Sequence, residues 1–238
     1  MTLTLAIDTA GEVGSVAVTR GTGRVLTAEF RHRRHAAEIA PAIGRLLSDL
    51  GATHADLSRI VLADGPGSFT GLRIGFATAL GVAHAVPDAA AWVAPALMGA
   101  AWAAAELAGG ESVAALFDAL RGDVYGAVYR FDGGRVDVVL PPTCGTIPAL
   151  AQLSANAPAL AVGDGAVRYA SEVQRWIGRA PVVAPAERTG ARALLGLLEV
   201  QGGAALVDDL ATYQPTYGRP AEAQARWERS RGRPLPRS

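Results

Sequence analysis

The sequence predicts an α/β protein that opens with a meander of three strands and continues with helices alternating with short strands. Residues 3–7, 15–19 and 24–30 are short apolar or alternating runs, which is typical of strands. Glycine-rich turns at 11–14 and 21–23 separate them. The helical segments are recognised by apolar residues spaced three and four apart.

The first helix is predicted over residues 36–50, and Gly51 follows it as a stop signal. Its apolar positions recur at helical spacing: Ile39, Ile43, Leu46, Leu47 and Leu50. Residues 59–63 then form a buried strand, and a second helix spans 70–85 with Thr70 as its N-cap. Between Asp88 and Glu106 the uncharged stretch is interpreted as a buried strand followed by a buried helix. The first unit therefore has the order β-β-β-α-β-α.

The same order recurs in the second half of the chain. Strands are predicted at 113–117, 124–130, 135–140 and 159–162, and helices at 147–154, 166–176 and 188–201. No residue-level repeat accompanies this duplication. We therefore divide the chain into an N-terminal lobe (1–106), a C-terminal lobe (107–212) and an irregular tail (213–238). The tail is locally basic, with arginines at 219, 226, 229, 231, 233 and 237.

Composition restricts the function. The 22 basic residues balance 22 acidic ones, so the chain projects no strong field toward nucleic acid or anionic membranes. Every basic residue is arginine, which excludes a P-loop lysine and lysine-based catalysis. The single cysteine, Cys144, fits a reducing compartment. No basic segment precedes an apolar run at the amino end, and a cytoplasmic protein is therefore expected.

The run from Gly65 to Gly75 joins a predicted strand to a helix N-terminus, where backbone amides can bind an anion. It nevertheless fails the known templates. A P-loop requires Gly-Lys-Ser/Thr, but Leu72 and Arg73 follow Gly71, and the dinucleotide fingerprint requires Gly where Thr70 stands. A hydrolase elbow would require glycines in place of Pro66 and Thr70. The run therefore predicts no standard phosphate site.

Small residues four apart mark one face of the second helix: Gly71, Gly75, Ala79 and Ala83. Another helix can approach such a face closely. A glycine within a helix costs about 1 kcal/mol relative to alanine, so a packing or functional reason is expected. The sequence pattern leaves two alternatives open: the face packs within the chain's own core, or it contacts a partner.

The sequence Gly65-Pro66-Gly67-Ser68-Phe69-Thr70-Gly71-Leu72-Arg73-Ile74-Gly75 resembles the signature of the TsaB (YeaZ) family. Other similar segments follow in the family's order: Leu5-Ala6-Ile7-Asp8-Thr9-Ala10, the helix from His35 to Pro41, Asp118-Ala119 with Val124-Tyr125, and Val162-Gly163-Asp164-Gly165. The resemblance implies the fold of actin, Hsp70 and the sugar kinases (ASKHA, ribonuclease H-like), with two β-β-β-α-β-α lobes. One departure is Leu120, where the family often has arginine after Asp-Ala.

The resemblance also implies a function. The chain would be a non-catalytic dimerisation subunit in forming N6-threonylcarbamoyladenosine at position 37 of tRNAs that read ANN codons. Its partners would be TsaD, the ATPase TsaE and, through the complex, tRNA, with a homodimer formed in isolation. The implied partner-binding residues are His35, Ile39, Ile43, Phe69, Thr70, Gly71, Arg73, Ile74, Gly75, Ala79 and Ala83.

For cofactors, the resemblance implies none bound by this chain, with ATP used by the wider complex. A remnant of the superfamily's nucleotide site would lie at Asp8, Thr9, Gly163, Asp164 and Gly165. The catalytic relative TsaD holds a metal with a His-x-x-x-His pair, whereas the matching stretch 94–99 contains no histidine, so no metal is expected. Two enzymatic alternatives stay open: a small-molecule kinase of the same fold, and a metalloprotease, which lacks ligands here.

Overall fold

The computed structural model describes residues 2–31 and 35–218. Its strands are β1 (Leu3–Asp8), β2 (Val13–Arg20), β3 (Val25–Arg31), β4 (Leu57–Ala63), β5 (Ala90–Ala94), β6 (Ser112–Asp118), β7 (Val124–Asp132), β8 (Arg135–Gly145), β9 (Leu160–Val162) and β10 (Ala205–Val207). Its helices are α1 (His35–Asp49), α2 (Phe69–Ala85), α3 (Ala96–Ala108), α4 (Ile147–Leu153), α5 (Asp164–Arg168), α6 (Ala170–Ile177) and α7 (Ala191–Leu197).

The strands form two mixed sheets with the same connectivity. The first has the order β10-β5-β4-β1-β2-β3 and the second the order β8-β7-β6-β9. In each sheet the three meander strands are antiparallel, and the strand that follows the next helix pairs in parallel with the first strand of the meander. The duplicated β-β-β-α-β-α order predicted from the sequence is therefore confirmed.

Helices and sheets alternate in five layers. One face of the first sheet, including Leu5 and Ile7, packs under α1 and α2. Its other face, including Ala6, packs on α3 and α7, which separate it from the second sheet. The helices α4, α5 and α6 cover the outer face of the second sheet. Successive strand residues point to opposite faces, so each sheet contributes to two cores.

Three of the predicted helices differ from the structure in ways that particular contacts or breaks account for. The N-cap of α2 is Ser68, whose hydroxyl accepts a hydrogen bond from the Gly71 amide at 3.1 Å, and not Thr70. The helix predicted over 166–176 is two helices that meet at Tyr169. The helix predicted over 188–201 begins later, at Ala191, because the Ser15 hydroxyl accepts a hydrogen bond from the Ala191 amide at 2.8 Å.

The C-terminal part of the chain returns to the first sheet. The strand β10, which lies within the range predicted for the second lobe, pairs antiparallel with β5, and α7 contacts β1, β2 and β4. A three-residue strand gives little sequence signal, and its pairing is decided by the exposed edge of β5. Of the tail predicted over 213–238, residues 219–238 lie outside the described residues. No helix in the described part of the chain is long and apolar enough to cross a membrane.

Candidate functional site

The glycine-rich signature forms a tightly packed junction with the turn after β1. The Ser68 amide donates a hydrogen bond to the Ala10 carbonyl at 2.7 Å. A Cβ atom added at Gly67 would collide with the Ala10 carbonyl, and one added at Gly71 would collide with the Thr9 carbonyl. Because the turn's backbone fills the space beside these glycines, the signature serves packing at this point, in agreement with its failure as a phosphate template.

The segment 213–218, here called the C-terminal strap, crosses this junction. The Thr216 amide donates a hydrogen bond to the Asp64 carbonyl at 2.9 Å, and a Cβ atom at Gly65 would collide with the Thr216 carbonyl. Two aromatic contacts hold the strap to α2. The ring of Tyr213 stacks on Phe76 with centroids 5.6 Å apart, and that of Tyr217 contacts Phe69 at 4.6 Å.

The small-residue face predicted to contact a partner is buried in the chain's own core. Gly71, Gly75 and Ala79 are buried, and a Cβ atom at Gly75 would collide with the Thr9 hydroxyl. Ala83 is partly buried against the same core. Gly71, Gly75 and Ala79 therefore pack within the chain itself, because α2 lies so close to β1 that only glycine or alanine fits between them.

The other predicted partner-binding residues are divided between the core and the surface. Ile39 and Ile43 of α1 are fully buried, and Ile74 is partly buried in the same cluster, so these three side chains pack in the core beneath α1 and α2. Thr70 and Arg73 are exposed, and the Arg73 guanidinium lies 5.1 Å from the centre of the half-buried Phe69 ring. His35 is the first residue of α1.

The solvent-facing sides of α1 and α2 carry two other rows of small residues four apart. Ala36, Ala40, Gly44 and Ser48 lie along α1, and Ala77, Gly81 and Ala85 lie along α2. All are exposed except Gly44, which is half-buried. A Cβ atom added at Gly44 or Gly81 would have nothing within 4 Å among the described residues. Together with Thr70 and Arg73 these two rows form what we call the α1–α2 surface. The chain's own packing does not require either glycine.

A cleft of about 900 Å³ lies between the two lobes. Asp8, Gly163 and Asp164 line it, so the structure brings together three of the five residues predicted as a nucleotide remnant. Thr9 and Gly165 do not line the cleft. Thr9 is buried beneath α2, and a Cβ atom at Gly165 would collide with the backbone at Phe117.

The cleft is acidic. Five carboxylate side chains line it: Asp8, Glu12, Glu29, Asp118 and Asp164. Arg168 is the basic residue in the described lining, and it forms an ion pair with Asp118 at 2.8 Å. Burial raises the pKa of Asp8, although its carboxylate accepts a hydrogen bond from the Ala10 amide. Such a cleft repels phosphate groups unless cations screen them.

Comparison with known proteins identifies the family. The family model described as TsaD, tRNA N6-adenosine threonylcarbamoyltransferase, matches residues 27–174. The Haemophilus influenzae protein named tRNA threonylcarbamoyladenosine biosynthesis protein TsaB is 30% identical over 190 residues, which are 76% of this chain and 80% of that protein. The chain belongs to the TsaB family. The Bacillus subtilis TsaB is 29% identical over 234 residues, which are 94% of this chain and 96% of that protein.

Solved structures agree with this membership. YeaZ from Pseudomonas aeruginosa superposes with a TM-score of 0.72 at 26% identity, over 91% of this chain and 100% of YeaZ. A second Pseudomonas aeruginosa structure, titled as similar to the peptidase YeaZ, has a TM-score of 0.73 at 27% identity, over 92% of this chain and all of that one. With the duplicated sheets, this likeness gives the TsaB-family chain the α/β fold of the actin, Hsp70 and sugar-kinase superfamily.

The departure from the TsaB-family pattern at Leu120 lies in the turn between β6 and β7. Leu120 and Arg121 both have positive φ, at 64° and 60°, and Leu120 is 60% exposed. The Asp118 carboxylate accepts hydrogen bonds from the Leu120 amide at 3.0 Å and from the Tyr169 hydroxyl at 3.2 Å. Asp118 therefore stabilises this turn, and its hydrogen bond with Tyr169 holds the junction between α5 and α6 against it.

The stretch 94–99, where the resemblance implied no metal pair, is a packing element in this chain. It begins α3, where Pro95 is the N-cap residue and a Cβ atom added at Gly99 would come within 3.5 Å of the Ala193 side chain and 3.7 Å of the Leu194 side chain of α7. Among residues 2–31 and 35–218 no group of three or more histidine, cysteine or acidic residues is placed to hold a metal ion. The absence of a metal stays a prediction.

Proposed function

We propose that this chain is the non-catalytic dimerisation subunit of the assembly that forms N6-threonylcarbamoyladenosine at position 37 of tRNAs reading ANN codons. TsaB-family membership supports a part in threonylcarbamoyladenosine biosynthesis. The proposal adds the partner and the surface: a TsaD subunit packs its helices on the α1–α2 surface. TsaE then binds the pair, and tRNA is reached through the assembled complex.

The observation that carries the proposal is the pair of glycines with open space, Gly44 on α1 and Gly81 on α2. Each costs the isolated chain about 1 kcal/mol of helix stability relative to alanine. Neither has a positive φ or an intrachain contact that requires glycine. A second helix packed on small residues can approach its neighbour closely, which explains both glycines.

The absence of catalytic chemistry in this chain is also part of the proposal. An active site of this fold would need to bind nucleotide in the interlobe cleft, where the described lining has five carboxylates and one arginine, itself paired with Asp118. The acids at the strand ends have structural partners: Asp118 binds the turn and Arg168, and Asp64 binds the C-terminal strap. We expect this chain to position its partner subunit and to catalyse no chemical step of the reaction itself.

The α1–α2 surface supports a further expectation for the isolated chain. An exposed face of small residues that lacks its partner can pair with a second copy of itself. A homodimer is therefore expected at high protein concentration, and it should dissociate when TsaD is added because both associations use the same surface.

Mixing the purified chain with TsaD from the same organism tests the proposal. Size-exclusion chromatography with light scattering should show a heterodimer, and TsaE should join only when both subunits are present. A small-molecule kinase, the leading alternative because the interlobe cleft exists, would remain separate from TsaD and would turn over ATP with a hydroxylated acceptor. Failure of the two subunits to associate at micromolar concentrations would overturn the scaffold proposal.

A further inference from the structure

A second pocket lies at the opposite end of the first sheet from the interlobe cleft. It has a volume of about 460 Å³ and is lined by the beginnings of β1 and β4, the turn between β2 and β3, and the helices α3 and α7. Sites for small ligands typically have volumes of about 300–1,000 Å³. None of the residues implied by the TsaB resemblance lines it.

Three arginines line this pocket: Arg59, Arg188 and Arg192. The Nε atoms of Arg59 and Arg188 are buried and have no hydrogen-bond partner in the described part of the chain. Arg192 donates to the carbonyl oxygens of Val25, at 3.0 Å, and of Glu187. Buried donors without acceptors are costly, so the guanidinium groups that line the pocket retain unsatisfied hydrogen-bonding capacity.

The charges are arranged with arginine inside and carboxylate at the rim. Arg188 pairs with Glu106, but the Glu106 side chain is 77% exposed whereas that of Arg188 is 21% exposed. The other two acids of the lining, Glu187 and Glu199, are also exposed, so water screens their charge. No carboxylate among residues 2–31 and 35–218 forms an ion pair with Arg59 or Arg192. The inner part of the pocket is therefore cationic.

The remaining walls indicate the size and polarity of the ligand. The Trp102 ring, on which Arg188 stacks at 4.5 Å, forms an apolar wall together with Leu195 and Leu198. The buried Thr4, which is the register partner of Arg59 in β4, also lines the pocket. Planar guanidinium groups bind carboxylate and phosphate oxygens with two parallel hydrogen bonds.

From this geometry we propose that the pocket binds a small organic anion whose carboxylate or phosphate group lies against Arg59 and Arg192 and whose apolar part lies against Trp102. The site is independent of the α1–α2 surface, because α1 and α2 cover the other face of the first sheet. Its occupancy does not depend on whether TsaD is bound.

Calorimetric titration of the full chain with inorganic phosphate, and separately with succinate, tests this site. Titration with sodium chloride at the same ionic strength is the reference for non-specific anion binding. One saturable site per chain is expected for at least one probe, and the tighter probe identifies the anionic group. Loss of the charge-assisted hydrogen bonds in Arg59→Gln or Arg192→Gln should weaken binding by about tenfold or more. Arg179→Gln, on the surface of the second lobe, is the matched control and should bind as the wild type does.

Circular dichroism and thermal unfolding without ligand establish whether each variant is folded. If the Arg59→Gln protein does not fold, the binding measured for Arg192→Gln alone tests the proposal. Binding that is no tighter than that of chloride, or that is unchanged in a folded Arg59→Gln or Arg192→Gln protein, would show that these arginines hold no ligand.

Discussion

Thr216 donates hydrogen bonds to both carboxylate oxygens of Asp64, from its amide to Oδ1 and from its hydroxyl to Oδ2, each at 3.2 Å. Although 152 positions separate these residues, the contact fastens the C-terminal strap beside the N-terminus of α2. Burial raises the pKa of Asp64, and hydrogen bonds from Tyr213 and Thr216 oppose that shift. The strap therefore belongs to the folded first lobe.

Gly65→Ala should release the strap. Gly65 has a φ of 98°, and the added methyl group would collide with the Thr216 carbonyl. Gly21→Ala is the control, because Gly21 also has a positive φ, 57°, but open space beside it. Urea unfolding should show a loss of about 1 kcal/mol for Gly21→Ala, from backbone strain alone, and about 2 kcal/mol more for Gly65→Ala.

Chymotrypsin should also cleave Gly65→Ala faster than the wild type after Tyr213, as identified by mass spectrometry, because that ring no longer stacks on Phe76. Equal losses of stability in the two glycine variants, with unchanged cleavage, would mean that the strap does not depend on Gly65.

Asp8→Asn should stabilise the chain at neutral pH. Burial raises the pKa of Asp8, so its charged form is unfavourable in the folded state, and stability is lost as the pH rises through the folded pKa. Asparagine keeps an acceptor for the Ala10 amide without the charge. Urea unfolding between pH 4 and pH 7 should show an advantage for Asp8→Asn that is largest at pH 7 and shrinks toward pH 4.

Asp137→Asn is the control of opposite sign. Hydrogen bonds from Arg135 and then Arg130 lower the pKa of Asp137, so its contribution to stability is present above the unfolded pKa and is lost as the pH falls through the folded one. The substitution should be slightly destabilising at pH 7. If both variants shifted stability in the same direction across this range, the assignment of Asp8 as an unfavourable buried charge would be wrong.

The isolated chain should bind ATP weakly. The carboxylates of the interlobe cleft repel phosphates, and Glu12→Gln should tighten whatever residual binding exists. Calorimetry with magnesium and ATP is expected to show no saturable binding below the millimolar range. Micromolar affinity together with turnover of an acceptor would favour the kinase alternative.

Sequence periodicity predicted the helices and strands whose structure follows from their local pattern of apolar residues. Ile39 and Ile43 recur at helical spacing and are buried as that spacing requires. The break at Tyr169 was missed because it depends on Asp118, which is distant in sequence. The strap was missed for the same reason, since nothing near Thr216 in the sequence points to Asp64.

The α1–α2 surface shows why a helix face cannot be oriented from small residues alone. In α2, Gly75 and Ala79 lie on one side and Ala77 and Gly81 on the other, so both sides have the same pattern. The turn at Thr9 decides which side is buried, and its position follows from the packing of β1 against α2. The structure adds what the sequence lacks: it shows which row of small residues is exposed and that a glycine in that row has open space beside it.

TsaD should pack on the outward side of α2, and the paired variants Gly81→Leu and Ala79→Leu test this most directly. Thermal unfolding and calorimetric titration with TsaD should be measured for both. Ala79→Leu should destabilise the isolated chain by about 1–3 kcal/mol, because Ala79 is fully buried. Gly81→Leu should leave the isolated chain as stable as the wild type or up to about 1 kcal/mol more stable. It should nevertheless weaken TsaD binding by about five-fold to more than a hundred-fold. Wild-type affinity for TsaD in a folded Gly81→Leu protein would contradict this expectation.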